Sequence, residues 1–436
     1  MNTLVAFPSA AGFGQQVALA FHECDALAGY MTSFAYRAGS PLARAVAMLP
    51  GKLRNKVDAE LGRRAVTALP EQLIESHPFW EIVRTIASKA GAGDTIVDRI
   101  WDHQSRQFTR AAAQRIDHGV DALYAFEYTA REAFEAAERR GVAKILDFPS
   151  LDSRQFEALQ RREKARYPEL VGAADTYFDA RFEARQARRD AEAASADVII
   201  TNSSVTRASH IAAGVDPNKI LAVPCGAPPA IDSRRLPAGP RNGRLHAVWA
   251  GTFGVRKGAH YFIEACRSVG ADVQADVFGA VTVPERVWKS APRSITFHGS
   301  VARSTLFDAF DSADVLVFPT LSDGFGMVVT EAFARGLPVI TTDQAGASDL
   351  VIHEHNGLIV PAGDAVALAG AMRWCMNNRE RLAMMRYAAL ETARKWQWSD
   401  YRRALIGAVA TGLTRAGFAP AFVPPSSEPV LATCLA

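Results

Sequence analysis

The sequence predicts an α/β protein built from two Rossmann-like α/β/α domains that face a central cleft. Three observations carry this expectation. The chain has 436 residues, more than one hydrophobic core ordinarily organises, so two domains are expected. Short apolar runs alternate with helical segments in both halves, which is the signature of βαβ units and mostly parallel sheets. Between the halves lies "APPAIDSRRLPAGPRNGR" (227–244), rich in Pro, Gly and Arg and without periodicity, as an interdomain linker would be.

In the first half, "LVAFPS" (4–9) is the first strand and leads through "AAGFGQQ" into a helix. "VDALYAFE" (120–127), "AKILDFPS" (143–150), "ADVIITNSS" (196–204) and "KILAVPCGA" (219–227) are later strands. From 35 to 115 the pattern is mainly helical and polar and gives no order. The second half is clearer. "LHAVWAG" (245–251) precedes a helix over 257–267, followed by "ADVFGAV" (275–281) and "SITFHGSV" (294–301). A helix over 304–312 leads to "DVLVFPT" (314–320), then a helix over 327–335, "LPVITTD" (337–343) and "NGLIVP" (356–361). The expected division is 1–226 for the first domain, 227–244 for the linker and 245–400 for the second domain. Residues 401–436 are expected as a helix and a proline-rich tail returning toward the first domain.

Composition excludes several classes. With 49% hydrophobic and 22% charged residues the chain is ordinary for a globular protein. A net charge of +3, from 49 basic and 46 acidic residues, is too weak to point to nucleic acid. Five scattered cysteines form no C-x-x-C pair, which speaks against zinc and disulfide frameworks and for a reducing cytoplasm. "MNTLVAFPSAAGFG" lacks a basic n-region and reads as a strand rather than a signal peptide. No apolar run has the length of a membrane span. Cys434 is third from the end, so no prenylation box is present. The basic stretch with Arg37, Arg44, Lys52, Arg54, Lys56 and Arg63 reads as a solvated helical face, with peripheral contact to the inner face of a membrane as the alternative.

Parallel sheets bind ligands beyond the carboxyl ends of their strands, so the loops after strands are the candidates. "DGFGMVVTEAFARG" begins at Asp323 and opens a helix. Free backbone N–H groups at a helix start attract phosphate. Gly324 and Gly326 admit a close ligand. Asp323 and Glu331 flank the amides as two acceptors, an arrangement suited to a ligand with hydroxyls on both sides of a diphosphate. Read plainly, the same stretch is an ordinary helix start with a near-cap acid. In "GTFGVRKGAHYF" (251–262), Arg256 and Lys257 sit where a helix is expected to begin. The helix dipole disfavours cations there unless they share an anion; two solvated basic residues are the plain alternative. "SAAGFGQQ" (9–16) places Gly12, Phe13 and Gly14 after the first strand, but without the third glycine of a dinucleotide turn. Neither a G-x-x-x-x-G-K-[ST] loop nor H-E-x-x-H spacing occurs. His298 reads as a strand-end residue, Asp102 and His103 as surface, and Trp396 and Trp398 as packing anchors.

The second half resembles the retaining glycosyltransferases of family 4, which have the GT-B fold. The resemblance rests on "GTFGVRKGAHYFIEA", "FHGSVARSTLFDAFDSADVLVFPTLSDGFGMVVTEAFARGLPVITTDQAGASDLV" and "NGLIVPAGD", in the family's order and spacing over about 245–400. The first half is similar in layout and in "SADVIITNSSVTRASHIAAGVDPNKILAVPCGA". The resemblance implies that Glu331 binds the donor ribose and that Asp323, a glutamate in most of the family, contacts the transferred sugar. It implies that the amides of Phe325, Gly326 and Met327 face sugar and phosphate, and that Lys257 holds the diphosphate. Arg256 stands in for an arginine that the family places where this chain has Thr252. Gly299, Ser300 and Val301 would face the base, and Gly12, Phe13 and Gly14 the donor phosphates. "ILDFPS" lacks the histidine that many members place near the donor sugar.

The implied activity is a retaining, metal-independent transfer from a nucleotide-diphosphate sugar to a glycan, lipid-linked or small-molecule hydroxyl. No cofactor and no nucleic-acid partner are implied, and exopolysaccharide or cell-surface glycan synthesis is the implied setting. Oligomeric state has no signal in the sequence. Three rivals remain open here: a GT-B nucleotide-sugar epimerase, a nicotinamide-dependent oxidoreductase using the Gly12–Gly14 turn, and a non-catalytic nucleotide-sugar binding protein.

Overall fold

A computed structural model describes the chain except for residues 10–11, 37–40, 52–53, 55–56, 58–60, 63, 117–118, 172–174, 238, 421 and 423–436. Arg37, Lys52, Lys56 and Arg63 of the basic stretch, and Cys434, lie outside the described residues.

The first domain carries a parallel seven-stranded sheet. Its strands are β1 (Thr3–Ala6), β2 (Leu27–Thr32), β3 (Ile74–Ser76), β4 (Ala122–Phe126), β5 (Ala143–Phe148), β6 (Val198–Thr201) and β7 (Ile220–Ala222), in the order β3-β2-β1-β4-β5-β6-β7. The second domain carries β8 (Leu245–Ala250), β9 (Val273–Phe278), β10 (Ile295–Gly299), β11 (Val315–Phe318), β12 (Val339–Thr342) and β13 (Gly357–Val360). Their order is β10-β9-β8-β11-β12-β13, again parallel throughout.

The apolar runs are continuous because both faces of each sheet are covered by helices. Ala247 and Trp249 of β8 enter one core with Phe262 and Met372. Val248 and Ala250 enter the opposite core with Val329 and Phe333. The observed strands are shorter than the quoted runs, since the flanking residues turn away to start loops. β3 lies inside the stretch expected to be mainly helical; three residues with one buried side chain leave too short a period to read.

The helix Trp398–Arg415 returns to the first domain, where Tyr401, Leu405, Ile406 and Val409 pack with Val198 and Ile200 of β6. The chain therefore crosses between the domains twice, and the crossings touch. Ala227 N–H donates to the Trp396 carbonyl (2.9 Å), and Trp398 N–H donates to the Ala227 carbonyl (3.3 Å). A Cβ on Gly226 would stand 2.6 Å from the backbone of Gln397 and Trp398, so only glycine fits this crossing. Trp396 is buried and its indole N–H reaches the Pro224 carbonyl at 3.1 Å, which suits the anchor role expected of it.

Asp102 is a correction. It was expected at the surface but is buried, accepting from the Tyr128 hydroxyl and paired with Arg181 at 3.1 Å and Arg106 at 3.3 Å. The arginines of the helix Asp175–Ser195 neutralise it, a pairing its local sequence does not announce. His298 stacks on Phe278 at the end of β10 and bonds Asp276 at 2.7 Å. Among the described residues, no helix is long and apolar enough to cross a membrane.

Candidate active site

In each sheet the strand order reverses once, between β1 and β4 and between β8 and β11. Crevices form at such reversals. The loops that leave them here meet across the domain interface.

β11 ends at Phe318, and the chain runs through Ser322 and Asp323 to Gly326, which starts the helix Met327–Ala334. Gly326 has φ 92°, and a Cβ there would meet the Phe318 ring at 2.6 Å. Glycine is thus required for the turn that aims the helix start back over the strand end. The first N–H groups of this helix have no partner within it.

After β8, Val255–Lys257 form a single 3-10 turn, and the helix Ala259–Val269 starts only beyond Gly258, at φ 78°. This corrects the expected helix start at 257. Arg256 and Lys257 lie outside the helix, so the conflict with its dipole does not arise. A Cβ on Gly258 would stand 2.0 Å from the Pro319 carbonyl oxygen; the turn is pressed onto the end of β11. Leu321 N–H and Thr320 Oγ1 both donate to the Arg256 carbonyl (2.9 and 3.1 Å), and Arg256 Nη1 donates to the Ser322 carbonyl (3.0 Å). The loops after β8 and β11 are stitched into one unit.

That unit brings the Lys257 ammonium against the Asp323 carboxylate, both mostly buried, with Lys257 Nζ 4.7 Å from the Phe318 ring centroid. Burial, and then the Arg256 guanidinium, push the Lys257 ammonium down from the ordinary lysine value. Asp323 supplies the opposing pull. An anion placed here would meet a cation that lacks hydration and has only one carboxylate partner.

The first domain closes the site. Phe13, Pro149, Asn202 and Cys225 share a cavity of about 310 Å³ with Lys257, Asp323, Phe325, Gly326, Met327 and Val328. Ser203 Oγ and Thr206 Oγ1 donate to the Gly324 carbonyl at 2.6 and 3.0 Å. Ser203 is also the N-cap of the helix Ser204–Ala212, and Ser204 N–H donates to Asp349 Oδ2 at 2.7 Å. A Cβ on Gly324 would stand 1.9 Å from the Pro149 carbonyl oxygen. The Asp323–Gly324 loop is therefore clasped by the first domain.

The structure thus brings Phe13, Lys257, Asp323, Phe325, Gly326 and Met327 to one cavity. Gly12 and Gly14 flank Phe13 in the first turn of the helix Gly12–His22, with Gly14 packed under the Phe7 ring. Arg256 backs the loops rather than lining the cavity. Glu331 lies one turn down its helix and accepts from Arg303 Nη2 at 2.9 Å. Burial raises its carboxyl above the ordinary value and Arg303 opposes the rise. Gly299 ends β10 at the edge of the sheet and Ser300 and Val301 follow it, all outside this cavity. Sequence reasoning missed Arg303, Ser203, Thr206 and Cys225; only the N-cap serine had a local signal. Among the described residues, no group of His, Cys, Asp or Glu is arranged to hold a metal.

Two parallel-sheet domains with apposed switch points, and a glycine-started helix aimed between them, define the GT-B class. Residues 244–378 match the family model described as Glycosyl transferases group 1, so the second domain is a group 1 glycosyl transferase domain. The fold is similar to that of sucrose-phosphate synthase from Thermosynechococcus elongatus, with TM-score 0.60 and 16% identity over 95% of this chain and 100% of that one. It is also similar to Anabaena HepE, crystallised with UDP, with TM-score 0.58 and 14% identity over 94% and 100%.

Among curated proteins, the D-inositol 3-phosphate glycosyltransferase of Stackebrandtia nassauensis is 29% identical over 135 residues, covering 31% of this chain and 30% of that protein. The capsular polysaccharide biosynthesis glycosyltransferase CapM of Staphylococcus aureus is 33% identical over 129 residues, covering 28% and 34%. The lipopolysaccharide core mannosyltransferase LpsB of Rhizobium meliloti is 32% identical over 144 residues, covering 29% and 40%. The matched stretch spans about a third of the length of these relatives.

Proposed function

We propose that the protein is a retaining glycosyltransferase that moves a sugar from a nucleotide-diphosphate donor to an acceptor hydroxyl. The observation that carries this reading is the convergence of Lys257, Asp323 and the start of the helix Met327–Ala334 on one interdomain cavity. A diphosphate seated on the helix amides takes over the Lys257 ammonium. Asp323, released from its partner, accepts from hydroxyls of the donor sugar. Negative charge grows on the departing phosphate as the glycosidic bond breaks, and Lys257 and the amides meet it already oriented. The acceptor hydroxyl approaches from the face the phosphate leaves and gives its proton to a phosphate oxygen, so the configuration is retained and no separate strong base is required. The clasp on Gly324 keeps water out while this occurs.

The relatives are named for an inositol phosphate, a capsular polysaccharide and a lipopolysaccharide core. Cell-surface or exopolysaccharide glycan synthesis is the setting proposed for this chain. The test is a panel of nucleotide sugars screened by thermal shift, since a bound donor raises apparent stability, followed by product analysis. Transfer to an added acceptor with retained anomeric configuration is expected. Release of epimerised free sugar without any acceptor would replace this reading with the epimerase.

A further inference from the structure

A second cavity lies on the other side of the Asp323 loop, and its chemistry differs from that of the first. It encloses about 690 Å³ between the helix Ser153–Arg166 of the first domain and the loops that follow β11, β12 and β13. That is ample for a sugar-sized ligand. Arg162 and Arg166, one helical turn apart, line it.

These two arginines differ from others on the same helix. Arg154 is paired with Asp152 and Asp190, and Arg161 with Glu157. Among the described residues, Arg162 and Arg166 form no ion pair. Arg166 only grazes the Tyr261 hydroxyl at 3.5 Å and lies 5.3 and 6.0 Å from the Tyr167 and Tyr261 ring centroids. The acid between them in sequence, Glu163, is buried in the wall of the same cavity, but its carboxylate is engaged by the second domain. It accepts from the Tyr261 hydroxyl at 2.8 Å and bonds His260 Nε2 at 3.0 Å, anchoring the helix to the second domain. Two like charges at this spacing repel, and both line a cavity whose own carboxylates, Glu163 and Asp343, already accept other bonds. An anion held by both resolves the repulsion, because a guanidinium binds phosphate or carboxylate with paired N–H groups.

The opposite wall is built for hydroxyls. Asp343 accepts one backbone bond, from Ala362 N–H at 3.1 Å, and Gln344 and Ser322 stand beside it. Ser322 also adjoins Asp323, which lines the donor cavity. Resting on the transferase reading above, we propose that this cavity is an acceptor subsite for a polyhydroxylated molecule carrying an anionic group. Arg162 and Arg166 hold the anion, and the hydroxyl end is directed along Ser322 toward the donor.

The test is calorimetric titration of the full chain with glucose 6-phosphate, glucuronate and neutral glucose, each with and without UDP, GDP or ADP. At least one anionic probe is expected to bind and glucose is not; whether phosphate or carboxylate binds more tightly identifies the group. R162Q/R166Q should weaken the anionic probe by about tenfold or more, while R162K/R166K keeps part of the affinity. R161Q, on the same helix but paired with Glu157, should match the unaltered chain. Nucleotide-diphosphate binding should be the same in all of these variants. The proposal is overturned if neither anion binds, or if R162Q/R166Q binds it as the unaltered chain does. Arginine-dependent anion binding without any nucleotide binding would keep this site and remove the transferase reading instead.

Discussion

Lys257 and Asp323 form an ion pair that joins the loop after β8 to the loop after β11, directly across the point where the strand order of the second sheet reverses. Each group holds the other's position in the absence of a ligand. On the function proposed above, each is also the group a pyrophosphate-linked sugar would engage, so a donor would displace the pair.

Lys257→Ala and Glu331→Ala should each weaken donor binding or turnover by about tenfold to a hundredfold, the cost of a lost charge-assisted contact of about 1.5–3 kcal/mol. Steady-state kinetics with the preferred nucleotide sugar check this. Near-unaltered kinetics in both variants would remove the assigned roles.

Donor binding should take up a proton. Burial and Arg256 lower the Lys257 pKa in the free protein, where the Asp323 carboxylate opposes the fall, and a diphosphate, carrying more negative charge, raises it further. Affinity should therefore fall as pH rises from the free-state value toward the bound-state value. Titration calorimetry above neutral pH, in buffers of different ionisation enthalpy, reads the proton count directly. A count of zero would show that Lys257 is fully charged before the donor arrives.

Arg303→Gln should shift the acid limb of donor binding upward. Burial raises the Glu331 carboxyl and Arg303 opposes this, so removing Arg303 leaves the rise uncompensated. Donor affinity is present above that pKa and lost as pH falls through it. An unchanged pH profile would mean that Glu331 does not contact the donor as an ionised group.

Gly324→Ala should lower turnover far more than it lowers nucleotide affinity. Its Cβ would press on the Pro149 carbonyl and hold the domains apart, while the nucleotide side of the site stays in the second domain. Ser203→Ala, which removes a bond to the Gly324 carbonyl, should act in the same direction but more weakly. Equal losses in binding and turnover would contradict the role given to the clasp.

Asp147→Asn should raise thermal stability at pH 8 and have little effect at pH 5. Asp147 is fully buried, and burial pushes its carboxyl up to about 7 even though the Tyr124 hydroxyl donates to it. A carboxyl whose folded pKa is raised binds more protons folded than unfolded, so stability declines as pH rises from about 4 to about 7. The amide avoids that decline. Thermal unfolding at both pH values checks it.

Much of the second domain was legible because its signals are local. The glycines at 324 and 326, the acids at 323 and 331 and the apolar runs lie within a few residues of one another, and each loop follows its strand in the chain. The 3-10 turn at Val255–Lys257 was misread as a helix start because Gly258, which separates them, has no unambiguous signal. β3 was hidden by its shortness. Asp102 was misplaced because the arginine that buries it, Arg181, belongs to a distant helix.

The sequence by itself determined two parallel sheets, the glycine-started helix after β11 and the basic turn after β8, since hydrophobic period and backbone freedom act over a few residues. Only the tertiary structure decided which loops confront one another. Ser203 grips Gly324 from 121 positions away, and Arg303 holds Glu331 across 28. Arg162 and Arg166 are left facing a cavity while their neighbour Arg161 is neutralised. Such pairings follow from how two folded domains meet, and no short stretch of chain encodes that meeting.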